Sequence, residues 1–182
     1  MKFLNKKLVI KIKHKKLKIT IIIIVIILLG IEISSKIMEI NYEKSLLGGL
    51  TIPKSAIYKE KIDTHGGFHG DGDYFAKIKV PKDDFNTLYK KASKSKEWKS
   101  LPIENKIAIP LLYGGDYNNI SYGTLGNGKK IPKNIKHGLY YYKNKYKEMY
   151  PDDKDNYDIP FNYIVSVLDK DNNLIYVYEF DS

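Results

Sequence analysis

Residues 63–73 crowd ligand-type side chains into one short stretch: two histidines (His65, His69), three aspartates (Asp63, Asp71, Asp73) and four glycines. Imidazole nitrogens and carboxylate oxygens are ordinary ligands for zinc or manganese. If the glycines let the backbone curl, His65, His69, Asp71 and Asp73 converge on a divalent metal. An aspartate beside a histidine also orients it as a general base. The plainer reading is a tight turn, in which the aspartates bond their own backbone and Phe68 anchors the loop. Histidines at i and i+4 share a face only on a helix, which four glycines oppose. No cofactor other than that divalent metal is called for.

Three further patterns resolve into ordinary structure. Gly123–Lys130 imitates a phosphate-binding GxxxxGK, but Lys130 stands where Ser or Thr must ligate magnesium, and Pro132 interrupts the helix that must follow. Asp169, Asp171 and Asn173 open like a calcium loop. Leu174 and Phe180 then occupy the positions of its glycine and glutamate, so the segment is a hairpin turn. Sixteen tyrosines, among them Tyr140, Tyr141, Tyr142, Tyr146, Tyr150 and Tyr157, offer stacking surfaces for a glycan or a protein. Sheet propensity and composition account for them equally well. His14 and His137 stand alone.

The elements that must position these residues begin with a basic, then apolar, N-terminus. Residues 1–18 carry eight lysines and no acid, so the net charge of +10 falls to +2 for the rest of the chain. The basicity belongs to a tail and not to a domain surface, and arginine is absent, which excludes the bidentate phosphate and guanine contacts of nucleic-acid binders. Without cysteine there are no disulfides, thiolate metal sites or cysteine nucleophile.

Ile19–Ile31 is uncharged, and eleven of its thirteen residues are Ile, Val or Leu. Their summed insertion free energy is roughly −5 kcal/mol. Lipid forces even β-branched residues into a helix. The sequence therefore reads as a lysine-rich cytoplasmic tail (1–18), a transmembrane anchor (17–35), a juxtamembrane connector (36–50) and an extracytoplasmic domain (51–182). The positive-inside rule keeps the tail in the cytoplasm. The apolar run is short, about 25 Å from Leu17 to Ile33 with Lys18 snorkelling. A cleaved signal peptide, with Ile33 and Ser35 at its −3 and −1 positions, is the competing reading.

Within the domain, alternation marks strands at Ala56–Ile62, Tyr74–Val80, Leu139–Tyr142, Phe161–Leu168 and Leu174–Phe180, with a shorter one near Ile107–Tyr113. Ala56, Tyr58 and Ile62 are expected on one face. Pro81 opens a helix over Lys82–Trp98, with Phe85, Leu88, Tyr89 and Ala92 as its buried stripe. The expected fold is α+β: a transmembrane helix, then a small antiparallel sheet packed on one main helix and covered on one side. The expected function is a non-enzymatic binding module on the cell membrane. Its partners are the lipid bilayer through residues 17–35 and an envelope protein or glycan, not nucleic acid. The alternative is a metal-dependent hydrolase using loop 63–73.

Overall fold

The computed structural model describes residues 2–66, 70–118, 120–122, 131–153 and 162–182, the side chains of 2–17 and 120–122 excepted. Two compact units are present, Met1–Tyr42 and Glu43–Ser182. The first is the body of helix α1 (Lys2–Leu46). Its apolar residues from Ile19 to Ile33 have no protein core around them, each being 48% to 62% exposed. The helix does not stop at Ile33. Glu32 and Lys36 pair across one turn at 3.1 Å and carry it past the first charged residues. Lys18–Leu46 is thus long and apolar enough to cross a membrane. Its 29 residues rise about 43 Å, against a hydrocarbon core of about 30 Å.

The second unit is built on a six-stranded antiparallel sheet of β1 (Ile57–Asp63), β2 (Gly72–Lys79), β3 (Trp98–Ser100), β6 (Gly138–Asn144), β7 (Tyr163–Asp169) and β8 (Leu174–Asp181). The order is β1-β2-β8-β7-β6-β3. A separate ribbon pairs β4 (Gly115–Tyr117) with β5 (Ile120–Tyr122). Three short helices complete the unit: α2 (Lys82–Ala92), α3 (Ala108–Tyr113) and α4 (Tyr146–Met149).

Alternation works as expected in the central strands. Tyr74, Ala76, Ile78 and Val80 join Ile175 and Val177 in one buried cluster. Tyr163, Val165, Val167, Tyr176 and Tyr178 form another. The strand expected to begin at Phe161 is described from Tyr163, Phe161 itself lying outside the described residues. At the β7–β8 turn the buried Asp169 carboxylate accepts from the Asp171 and Asn172 amides at 3.1 and 3.2 Å, and Asn173 takes φ +49°. That is turn chemistry, with the carboxylate spent on the backbone.

Four expectations need correction. The sheet is buried on both faces. Phe85, Leu88 and Ala92 of α2 share one core with Leu46 and Leu47, while Ala108, Leu111 and Leu112 of α3 lie in the other with Ile131. Residues 107–113 are a helix and not a strand, because Asn105 Oδ1 caps the Ile107 and Ala108 amides at 2.9 Å each. The ladder then runs from the Ile109 amide to Asn105 O and from the Leu111 amide to Ile107 O, with Pro110 between them supplying no donor. Helix α2 ends at Ala92, and Trp98 belongs to edge strand β3. Finally, the register of β1 shifts between Tyr58 and Glu60. This bulge sends Tyr58 to the first core and Ile62 to the second.

The first core takes residues from the segment expected to be a connector. Leu46 and Leu47 are 1% and 0% exposed. The end of α1 is closed by the Gly49 amide donating to Lys44 O at 2.8 Å and the Gly48 amide to Ser45 O at 3.4 Å, a Schellman pattern. Gly48 sits at φ +57°, and a Cβ there would meet the Tyr141 ring at 2.9 Å. Two remaining carbonyls find side-chain donors: Ser166 Oγ to Leu46 O at 2.6 Å and Trp98 Nε1 to Leu47 O at 3.2 Å.

Gly48→Ala is therefore expected to lower domain stability by about 1–3 kcal/mol through backbone strain and overpacking against Tyr141. Thermal unfolding of the full chain in detergent, with Gly30→Ala as an open-space control, checks it. The buried tyrosines give a second test. Burial raises the phenols of Tyr74 and Tyr141 to about 12. Burial first, and then contact with acidic partners, holds Tyr58 and Tyr178 higher still. Because the folded values exceed the unfolded value of about 10, this stabilisation is intact below pH 10 and is lost as pH rises through the folded values. Phenolate absorbance should rise in two phases, the later one coinciding with loss of circular dichroism. A single phase near 10 with an unchanged fold would contradict these burials.

Candidate functional site

The β1–β2 loop is narrower than its glycine content implies. Beyond the ladder, the Thr64 amide donates to Asp73 O at 2.9 Å and the Asp73 amide to Thr64 Oγ1 at 2.8 Å. Gly72 permits this approach, since a Cβ there would lie 2.6 Å from the His65 nitrogen. The pinch carries His65 back over the end of the sheet. Its ring is then fixed by Asp63, whose Oδ1 lies 2.8 Å from Nδ1 and also accepts from the His65 amide at 3.1 Å. A carboxylate only accepts, so Nδ1 carries the proton of this bond.

Register supplies the other members. Asp63 faces Tyr74 across β1–β2, and Tyr74 faces Glu179 across β2–β8, so the three form one row over the sheet. Asp181 follows two residues later on the same face. His65 Nε2 lies 3.4 Å from Asp181 Oδ2. It is buried and has no hydrogen-bond partner among the described residues. Ligand atoms of His65, Glu179 and Asp181 all fall within 4.8 Å of one another.

Lys145, just after β6, closes the group. Its Nζ lies 2.6 Å from Glu179 Oε1 and also contacts Asp181 Oδ1. The Glu179 side chain is 3% exposed and that of Lys145 20%. Among the described residues, the Lys145 ammonium thus meets Glu179 and Asp181, while Asp63 is engaged with the imidazole. A polar run extends the row: Tyr58 hydroxyl donates to Glu43 Oε1 at 2.7 Å, and Lys61 Nζ lies 5.5 and 5.6 Å from the Tyr58 and Tyr74 ring centres.

Of the four residues expected to converge, His65 is in this cluster. Asp73 points to the opposite face, where its Oδ1 accepts from the Tyr178 hydroxyl within the second core. Asp71 is exposed, and its main-chain carbonyl accepts from the Gly66 amide at 3.4 Å. His69 and Phe68 lie outside the described residues, as do Gly123–Lys130 and Tyr157. Sequence reasoning missed Asp63 as the imidazole's partner, and missed Glu179, Asp181 and Lys145 entirely. One signal was available: Glu179 continues the inward row Ile175–Val177, and a charge on a buried row asks for a partner.

The consecutive tyrosines do not make a surface patch. Tyr140 and Tyr141 are buried in opposite cores. Tyr146 and Tyr150 pack together at 4.7 Å, with Tyr150 52% exposed. Nor does His137 stand alone, since its Nδ1 lies 3.0 Å from Asp171 Oδ2. An apolar recess of about 240 Å³ opens beside Leu101, Ile103, Ile109, Tyr113 and Ile135.

The chain matches no family model, no curated protein and no solved structure.

Chemically, the cluster offers an oriented imidazole whose second nitrogen faces carboxylates. That arrangement suits a cation better than the proton of a substrate hydroxyl. Lys145→Met is expected to cost about 3–5 kcal/mol, because it removes an ammonium 2.6 Å from the buried Glu179 carboxylate. Lys145→Met with Glu179→Gln should recover most of that loss. A double-mutant cycle by thermal unfolding measures the coupling, and strict additivity would mean that the pair carries no mutual energy.

Proposed function

We propose that this chain is a single-pass membrane protein that displays a non-enzymatic binding module on the outer side of the cell membrane. The observation that carries it is α1, whose uncharged run Ile19–Ile31 exposes a long apolar surface that only lipid solvates well. The eight lysines before that stretch set the orientation, tail in the cytoplasm and Glu43–Ser182 outside. The module's partner is an envelope protein or glycan. Binding is favoured over turnover because, among the described residues, the His65 cluster is engaged internally, Asp63 holding its imidazole and Lys145 reaching Glu179 and Asp181.

A metal-dependent hydrolase at loop 63–73 is the second reading. Its support is the Asp63–His65 pair, since a carboxylate-held imidazole is also how a general base is oriented.

Topology and turnover separate these readings. In membranes from cells producing the full chain, the protein should resist alkaline carbonate extraction at full length. External protease should cleave the domain and spare an N-terminal tag. Release of a soluble, shortened chain would mean a cleaved signal peptide and no anchor. Hydrolysis of an envelope substrate that disappears in His65→Ala would replace the binding module with the hydrolase.

A further inference from the structure

We propose that His65, Glu179 and Asp181 form a divalent cation site of the zinc or manganese kind, closed by Lys145 acting as a displaceable internal cation. The ligand set differs from the one expected of loop 63–73 alone, drawing two of its three members from the far end of the chain. It stands whether the domain binds a partner or turns over a substrate, because it concerns metal occupancy only.

Four observations converge on it. The Nε2 atom of His65 is buried, lacks a hydrogen bond among the described residues and faces Asp181 Oδ2 at 3.4 Å. A buried imidazole nitrogen without a partner is costly unless something else uses its lone pair. Asp63 holds Nδ1–H at 2.8 Å, which leaves Nε2 as the basic nitrogen. A carboxylate behind the ligating histidine is the usual outer shell of a protein-bound zinc and raises the ligand's basicity. Glu179 and Asp181 place oxygens within 4.8 Å of a ring nitrogen of His65 and of each other, a span that a metal at about 2.0–2.2 Å from each ligand bridges after small side-chain shifts. Finally, Glu179 and Asp181 set two carboxylates beside the imidazole, the mixed nitrogen and oxygen donor set that a divalent ion takes.

Lys145 makes the site conditional. Its ammonium lies 2.6 Å from Glu179 and touches Asp181, occupying the charge position a metal needs. The side chain is 20% exposed on a long stem, so it can swing toward solvent. Metal binding releases Lys145, and Lys145 lowers metal affinity. One imidazole and two carboxylates, with no thiolate, suit zinc or manganese, whereas an all-oxygen set would suit calcium.

The test is calorimetric titration of the full chain in detergent micelles with ZnCl₂ and, separately, MnCl₂. The wild type is compared with His65→Ala, Asp63→Asn and Lys145→Met, and each variant's unfolding temperature is recorded. The wild type should bind one ion, His65→Ala should weaken binding at least tenfold, and Asp63→Asn should weaken it by about 10-fold or more through loss of the outer-shell carboxylate. Lys145→Met should bind at least tenfold more tightly than the wild type. His65→Ala and Asp63→Asn leave the Lys145–Glu179 pair intact, so they decide the matter even if Lys145→Met does not fold. One-to-one binding unchanged by His65→Ala places the metal elsewhere and overturns the site. Absence of stoichiometric binding in the wild type and in every folded variant overturns it equally. Binding that His65→Ala abolishes but a folded Lys145→Met does not tighten refutes the displacement by lysine.

Discussion

The domain depends on how the end of a helix is buried. A helix leaves four carbonyls without partners, and burying them uncompensated costs several kcal/mol. Here the apolar Leu46 and Leu47 carry the last of α1 into the first core, where water cannot serve. The Gly48–Gly49 turn takes two carbonyls, and Ser166 and Trp98 take two more. Those donors come from β7, in the central pair, and from β3, at one edge of the sheet. The helix end therefore links β7 and β3 across the strand that lies between them. Ser166 illustrates the constraint: it sits fully buried in the middle of an apolar strand, tolerable only because its hydroxyl has a backbone acceptor.

The charged cluster follows from the same sheet. With β8 paired on both sides, Glu179 cannot turn outward, since its neighbours Tyr178 and Phe180 face the second core. Its carboxylate is committed to the other face, and the chain must bring it a cation. Lys145 does so from the end of β6, two strands away in the sheet. Replacing such a buried pair by well-packed apolar residues is commonly neutral or stabilising, so the pair is a poor explanation of stability. That points to a use for the charge at this end of the sheet, beside an imidazole already held by Asp63.

Much of this architecture was legible in the sequence wherever periodicity and burial agree. Tyr74–Val80 and the β7–β8 hairpin alternate cleanly because each is a regular strand with fixed faces. Legibility failed where a local feature broke the period. The bulge after Tyr58 moves Ile62 to the other face, and nothing in Tyr58–Ile62 announces it. Ile107–Tyr113 has strand-like residues, but the Asn105 cap decides for helix. Nothing in the charged residues of 36–50 announced that α1 runs on to Leu46 and that Leu46 and Leu47 enter the core. The site was half legible. Loop 63–73 advertised His65, but its partners lie 114 and 116 residues away in sequence, and only the register of β1, β2 and β8 assembles them.

Helix α1 also shows why composition must be read against solvent and not against propensity. Its isoleucines are β-branched, lose rotamer freedom in a helix and would be mediocre helix formers in water. The membrane span proposed above overrules that preference, since lipid offers the backbone no other donor or acceptor. The end of the same helix is instead buried in protein. Ile40 is 47% exposed, whereas Leu46 and Leu47 are packed among Trp98, Tyr141 and Ile164. Across those few residues β-branched side chains give way to leucine, whose flexible branch fits an irregular protein core. Two glycines then end the helix where the core requires the chain to turn. The change in residue type thus tracks the change from exposed apolar side chains to a packed interior that accepts only particular shapes.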